Sequence, residues 1–247
     1  MTFKNKCACT ALALSLCPAA ASAQDNGWEF FGSIYLWSTS VDIDSATPLG
    51  STSGTLSFSD ALENLEFGFM GAFEARKGRW SLFTDLVYTD LAFRDTVTTI
   101  PGFTNSRFGN KITIWSGIAA YRVLEDDGVA LDLGGGFRYI NIDNDLTLRG
   151  AGPSTTFSGS DASTDAVVAA RANIPLGDRT SATLYLDYGY ASSTSNSWQA
   201  LATINYDLND RWMLRGGYRY LDFERNVGAT NNDFAYSGIL FGATYQF

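Results

Sequence analysis

Residues 211–224 alternate with a period of two, and the two rows differ in kind. Trp212, Leu214, Gly216, Tyr218 and Tyr220 form one row, and Arg215, Gly217 and Arg219 form the other. Successive side chains of a strand point to opposite faces, so such a segment has one apolar, aromatic face and one cationic face. An Arg exposed to lipid costs about 2–4 kcal/mol near the bilayer midplane, which turns the arginine row inward if the apolar row meets a membrane. A sheet that spans hydrocarbon must close on itself, because an open edge leaves backbone groups without hydrogen-bond partners. A soluble sandwich or lipocalin-like barrel also alternates, with the opposite sense: apolar rows inside and polar rows outside.

The same division recurs along the chain. In 129–144, Leu131, Leu133, Phe137 and Tyr139 oppose Asp132, Gly134, Gly136 and Arg138. In 180–193, Leu184, Leu186, Tyr188 and Tyr190 oppose Thr183, Asp187 and Gly189; in 164–176, Ala166, Val168, Ala170 and Ile174 oppose Arg171 and Asn173. In 65–77, Phe67, Phe69, Gly71 and Phe73 oppose Gly68, Met70, Ala72 and Glu74, whereas 28–41 carries aromatics on both rows. Trp28, Trp37, Trp80, Tyr88, Trp198, Tyr206, Trp212, Tyr220 and Tyr245 lie towards segment ends, where amphipathic rings suit membrane interfaces.

Ten alternating segments can be marked: 28–41, 65–77, 79–93, 109–124, 129–144, 164–176, 180–193, 197–208, 211–224 and 234–247. Turn-type residues make short links at Lys77 and Gly78, at 125–128, at 177–179 and at Asn209 and Asp210. Longer connections are expected at 42–64, 94–108, 145–163 and 225–233. The pattern predicts an all-β fold, a transmembrane antiparallel up-and-down β-barrel of ten strands, with eight as the alternative count. Within 42–64, a short helical turn over residues 59–65, capped by Ser59, would be either a plug or a rim element.

The N-terminus has a basic start at Lys4 and Lys6, an apolar run over 8–16 and a small-residue site at Ala21, Ser22 and Ala23. These mark residues 1–23 as a removable signal peptide and 24–247 as a single barrel domain. Cys7, Cys9 and Cys17 all lie within that signal, so the exported chain would hold no thiol; lipoprotein processing at Cys17 is the rival reading, opposed by Leu16 before it. The chain has 17 basic and 26 acidic residues, and losing the two lysines leaves 15 against 26, a net charge of −11. Nucleic acid is excluded as a partner by such a charge. Beyond the signal no stretch nears the roughly 18 consecutive apolar residues of a membrane helix.

The closing segment, from Phe234 to the terminal Phe247, places Ile239, Phe241, Ala243, Tyr245 and Phe247 on one row. It resembles the last strand of bacterial outer-membrane barrels, and Tyr245 and Phe247 resemble the sorting signal read by the barrel-assembly machinery. Residues 56–70 and 74–80 are similar to a pattern in small outer-membrane barrel proteins that carry a signal peptide and a C-terminal Phe signal. The resemblance implies export, an outer-membrane location, contact with outer-membrane lipid and lipopolysaccharide, and a monomer. It specifies membership better than activity.

The sequence contains no histidine. The omptin protease, phospholipase A and lipid A palmitoyltransferase and deacylase families resemble this chain in architecture, and their known forms use a catalytic His, so their mechanisms do not transfer. No enzyme activity and no cofactor are expected. Asp42 with Asp44, and the acidic run 141–145, read as solvated loop charge, so no metal site is expected. Inward parity selects Glu74, Asp85, Arg122, Asp132, Arg138, Arg171, Asp187, Arg215 and Arg219. Charges of both signs in a narrow lumen form either a salt-bridged structural interior or a selective path whose arginines attract anions. Two functions follow: a narrow porin-like barrel for solute passage, or a closed-lumen structural or adhesion-type barrel acting through its outer loops.

Overall fold

The computed structural model describes residues 27–47, 50–96, 102–192, 195–227 and 230–247. The proposed signal peptide lies outside them. The elements are β1 (Glu29–Thr47), β2 (Gly50–Leu56), α1 (Phe58–Glu63), β3 (Leu65–Lys77), β4 (Trp80–Thr96), β5 (Phe103–Asp126) and β6 (Val129–Gly150). They continue with β7 (Thr155–Pro175), β8 (Thr180–Ser192), β9 (Ser195–Asp207), β10 (Trp212–Val227) and β11 (Thr230–Gln246). Neighbours in sequence pair antiparallel from β3 to β11, and β11 closes on β1 with Phe31 opposite Gln246 and Ala46 opposite Asn231. β2 folds back on the outer end of β1, so ten strands make the wall and β2 is a flap upon it.

Tight turns and both ends of the described chain share one rim; Gly78, Asp127 and Gly128 adopt positive φ there. In bacterial barrels that rim is periplasmic. The opposite rim differs from expectation. Most of 94–108, 145–163 and 225–233 is strand: β4 runs to Thr96, β6 to Gly150 and β7 starts at Thr155. Crossing a bilayer takes about 9–11 tilted residues, whereas β5 has 24, so the ladder continues well beyond the membrane. Above the lipid neither face of the sheet meets hydrocarbon, so the hydropathy alternation fades while the backbone ladder persists. In α1 the cap is Ser57, not Ser59: its Oγ accepts from the Asp60 N–H at 3.2 Å.

The wall's outward rows form an apolar belt. Ile34, Val168, Ile239 and Phe241 are each at least 60% exposed, a costly arrangement in water and a favourable one in lipid. Ring pairs edge the belt: Trp80 with Tyr121 and Trp212 with Tyr245 at the turn rim, Phe67 with Tyr88 and Trp198 with Tyr220 at the other side. Trp37 does not belong to this girdle. It is 1% exposed and inside the lumen, because β1 turns Tyr35, Trp37 and Val41 inward and Ile34 and Leu36 outward. The two aromatic rows of 28–41 concealed that choice.

Outside the belt, at the far end of the wall, register places Asp44 opposite Asp233 and Asp233 opposite Glu224. Burial, then Glu224, Asp222 and Asp44, push the Asp233 carboxyl above its ordinary range. Like charges directly opposite destabilise a sheet by up to about 1 kcal/mol. The variant Asp233→Asn is therefore expected to raise the unfolding midpoint at neutral pH. A raised carboxyl weakens the fold when ionised and is relieved on protonation, so the gain shrinks as pH falls through the raised pKa and vanishes below the ordinary carboxylate range. Midpoints measured against pH check this; an equal gain at every pH would assign it to another cause.

Candidate functional site

The lumen is charged near the turn rim and apolar further out. Near the turn rim, Arg171 on β7 reaches Glu74 on β3 at 2.7 Å and Asp132 on β6 at 2.9 Å, and also donates to Ser81 Oγ. Glu74 is further held by Arg76, and Asp132 by Arg122 at 3.1 Å. Across the lumen, Arg219 on β10 pairs with Asp85 on β4 at 2.9 Å and donates to Gln199 Oε1 and to the Tyr35 hydroxyl, which itself donates to Asp85. Its guanidinium lies 4.7 Å from the centre of the Trp37 ring. Arg138 pairs with Asp187 and donates to Ser197 Oγ; Ser197 donates to Asp165, which also meets Arg225.

These groups come together by register. Asp85, Ser116, Arg138 and Asp165 sit side by side across β4, β5, β6 and β7. Side-chain polar groups so deep in a barrel must satisfy one another, since an unpaired buried charge is costly. Eight of the nine charged positions selected by parity make ion pairs: Glu74, Asp85, Arg122, Asp132, Arg138, Arg171, Asp187 and Arg219. Arg215 faces the same space but makes no ion pair among the described residues, and its Nε lacks a hydrogen-bond partner. Parity overlooked Tyr35, Arg76, Asp165 and Arg225. Asp165 shares the row of Arg171 and was readable there, while Arg225 lay beyond the segment assigned to β10.

One inward position further from the turn rim, the chemistry changes. Val87, Ile114 and Ile140 succeed Asp85, Ser116 and Arg138 on their strands, and with Ile112, Ile142, Leu221, Phe223, Tyr236 and Leu240 they form the main buried apolar cluster. The closing strand therefore turns Tyr236 and Leu240 inward as well as its small and polar residues, which the sequence reading of β11 left out. Two cavities result. A polar one of about 140 Å³ lies among Glu74, Asp85, Arg171, Arg215 and Arg219, and an apolar chamber of about 500 Å³ lies beyond it. Their linings share only Tyr35, so the layer of Tyr35, Asp85 and Arg219 separates them. No acidic or basic residue lines the chamber among the described residues, and α1 contributes Phe58, Ala61 and Leu62 to it. The short helix is thus a rim element over the chamber.

No protein-family model matches the chain, and no curated protein does. Among solved structures it is similar to the outer-membrane protease OmpT of Escherichia coli, with a TM-score of 0.57 and 8% identity over 89% of this chain and 97% of that one. It is also aligned with Ail, the attachment invasion locus protein of Yersinia pestis, at a TM-score of 0.33 and 11% identity over 90% and 99% of the two chains. At these identities the likeness is one of fold, and only the first score is high enough to weigh. Closed ten-strand topology, an apolar outer belt edged by aromatic rings and a charged interior define the class: an integral β-barrel of the bacterial outer-membrane type.

Proposed function

We propose that the protein takes up a neutral, apolar solute, and that its lumen does not conduct ions. The observation that carries this reading is the chamber of about 500 Å³, lined by Trp37, Val87, Ile112, Ile114, Ile142 and Tyr236 and closed below by the salt-bridged layer. A roomy apolar pocket with a few polar groups is the ordinary form of a small-molecule site. Thr39, Thr89, Asn110 and Asn144 supply those few polar groups. A fatty acid or other anion would bring a charge with no cation to meet it, which selects uncharged ligands. The solute-passage function is thereby narrowed to hydrophobic molecules, and the lumen arginines are assigned to the carboxylates that hold them rather than to anion transport.

The same reading makes the protein a non-enzyme. Its chain has no histidine, and the lumen carboxylates are occupied by arginines. The reading takes Tyr245 and Phe247 as the assembly signal of a barrel resident in the outer membrane, a residence that the barrel class supports.

Purified, folded protein is expected to bind an uncharged apolar fluorophore such as N-phenylnaphthylamine and to stay silent in planar bilayers. Val87→Trp, which narrows the chamber, should weaken fluorophore binding without changing heat-modifiable gel mobility. Stable unitary currents in the wild type, lost on neutralising Arg215 and Arg219, would instead establish a polar pore. Silent bilayers with no fluorophore bound would favour the closed structural or adhesion-type barrel.

A further inference from the structure

Among the described residues, the barrel wall parts between β1 and β3. β1 pairs with β3 only from Glu29 opposite Arg76 to Ile34 opposite Gly71, and β2 takes over the same edge of β1 from Val41 opposite Leu56. Between these, residues 35–40 of β1 and 65–70 of β3 have no ladder to each other. The Trp37 N–H, which points to that side, donates to Met70 Sδ at 3.2 Å instead of to a carbonyl. The opposite edge of β1 is fully paired over the same stretch, with Leu36 opposite Phe241 and Ser38 opposite Ile239. The gap is local to one seam and does not come from fraying of β1.

This seam lies at membrane depth. Phe241 and Ile239, level with it on β11, belong to the lipid-facing belt, and Phe69 on β3 is opposite Tyr88 of the girdle nearer the outer rim. Backbone left unpaired at that depth is expensive where it faces hydrocarbon and is tolerated where it borders a cavity. The seam does border one. Leu36, Leu65 and Gly68 line the apolar chamber, although Leu36 lies on the outward row opposite Phe241 and is 56% exposed. One space is thus in contact with both the inner wall and the outer face.

We infer that the β1–β3 seam is a lateral port through which neutral hydrocarbon passes between the outer leaflet of the membrane and the chamber. The inference rests on the apolar-solute reading for its ligand, and adds the route. Three features specify hydrocarbon rather than a polar solute. The seam is edged by Leu36, Leu65, Phe67 and Met70; the chamber has no charged lining residue; and the phase outside the seam is itself apolar. The buried Trp37 Nε1, which has no hydrogen-bond partner, would accommodate the π face of an unsaturated hydrocarbon. An apolar solute taking this route never enters bulk water between membrane and site, so the full hydrophobic cost of leaving the bilayer is avoided.

Two independent measurements test the port, using the full barrel in lipid vesicles. In the first, N-phenylnaphthylamine is supplied dissolved in the bilayer and its transfer to the chamber is timed. Phe67 edges the opening on the lipid-facing row, 58% exposed and outside the chamber lining, so Phe67→Ala widens the opening and leaves the chamber as it is. Transfer in this variant should be about tenfold faster, equivalent to about 1.4 kcal/mol off the barrier, with little change in final occupancy. Transfer at the wild-type rate, with binding intact, would overturn the port and leave the chamber standing, filled from the outer mouth. In the second, lipids with a photoreactive diazirine on the acyl chain are crosslinked to the wild type, which needs no variant to fold. Labelling of Trp37 and Met70 supports the port, whereas labelling confined to belt residues such as Ile239 and Phe241 rejects it. Lipid labelling of Trp37 without any fluorophore binding would keep the port and replace the solute by the lipid chain itself.

Discussion

Asp187→Ala is expected to destabilise the barrel by about 3–5 kcal/mol, because it leaves the guanidinium of Arg138 charged, fully buried and without its carboxylate. Ser197 and Ser116 still offer neutral oxygens to Arg138, at 3.1 and 3.4 Å, but neither carries a compensating charge. Arg215→Met should behave in the opposite way. Arg215 lines the polar cavity with no ion pair among the described residues, so exchanging it for an apolar side chain of similar volume is expected to be neutral or stabilising. Urea unfolding in lipid vesicles, followed by heat-modifiable mobility, compares the two. Equal losses would mean that pairing is not what holds the lumen charges in place.

Gly136→Val should be almost as damaging, by about 3 kcal/mol, the upper range for forcing extra atoms into packed structure. A Cβ at Gly136 would overlap the Gly117 carbonyl oxygen on β5 and lie 2.9 Å from Ile118 Cα. Both are backbone atoms of the paired strand, which cannot move aside without opening the β5–β6 ladder. Gly216→Ala provides the contrast: its nearest neighbour would be Phe241 Cδ2 at 3.9 Å, an ordinary contact. The expected result is loss of the folded, heat-modifiable form for Gly136→Val and its retention for Gly216→Ala. The mid-strand glycines Gly134 and Gly136 therefore mark a close approach of β5 and β6.

Much of the barrel is readable one strand at a time. The inward placement of Arg138, Arg171 and Arg219 follows from the cost of a guanidinium in lipid, which each strand meets separately. The partners of those arginines are a different matter. Asp85 and Arg219 are 134 residues apart and meet across the lumen, which no local pattern encodes. Trp37 was misplaced for a related reason: with rings on both rows of β1, hydropathy has no preferred face, and the choice was made by the apolar cluster awaiting it inside. Where the charged row ends and Val87, Ile114 and Ile140 begin, alternation likewise gives no warning, since an inward apolar residue looks the same as an outward one.

The sequence by itself determined that this chain forms a closed antiparallel barrel, which row of most strands meets lipid, and which charges turn inward. These are properties of single strands against two solvents, and a period of two is enough to reveal them. Only the tertiary structure decided that all but one of these inward charges pair, that an apolar chamber stands beyond them, and that β1 and β3 part at residues 35–40 and 65–70. The physical reason is closure. The register adopted when β11 meets β1 sets which inward residues share a level and which stretch of β1 is left beside β3 without a ladder, and that offset is a property of the whole ring rather than of any one strand.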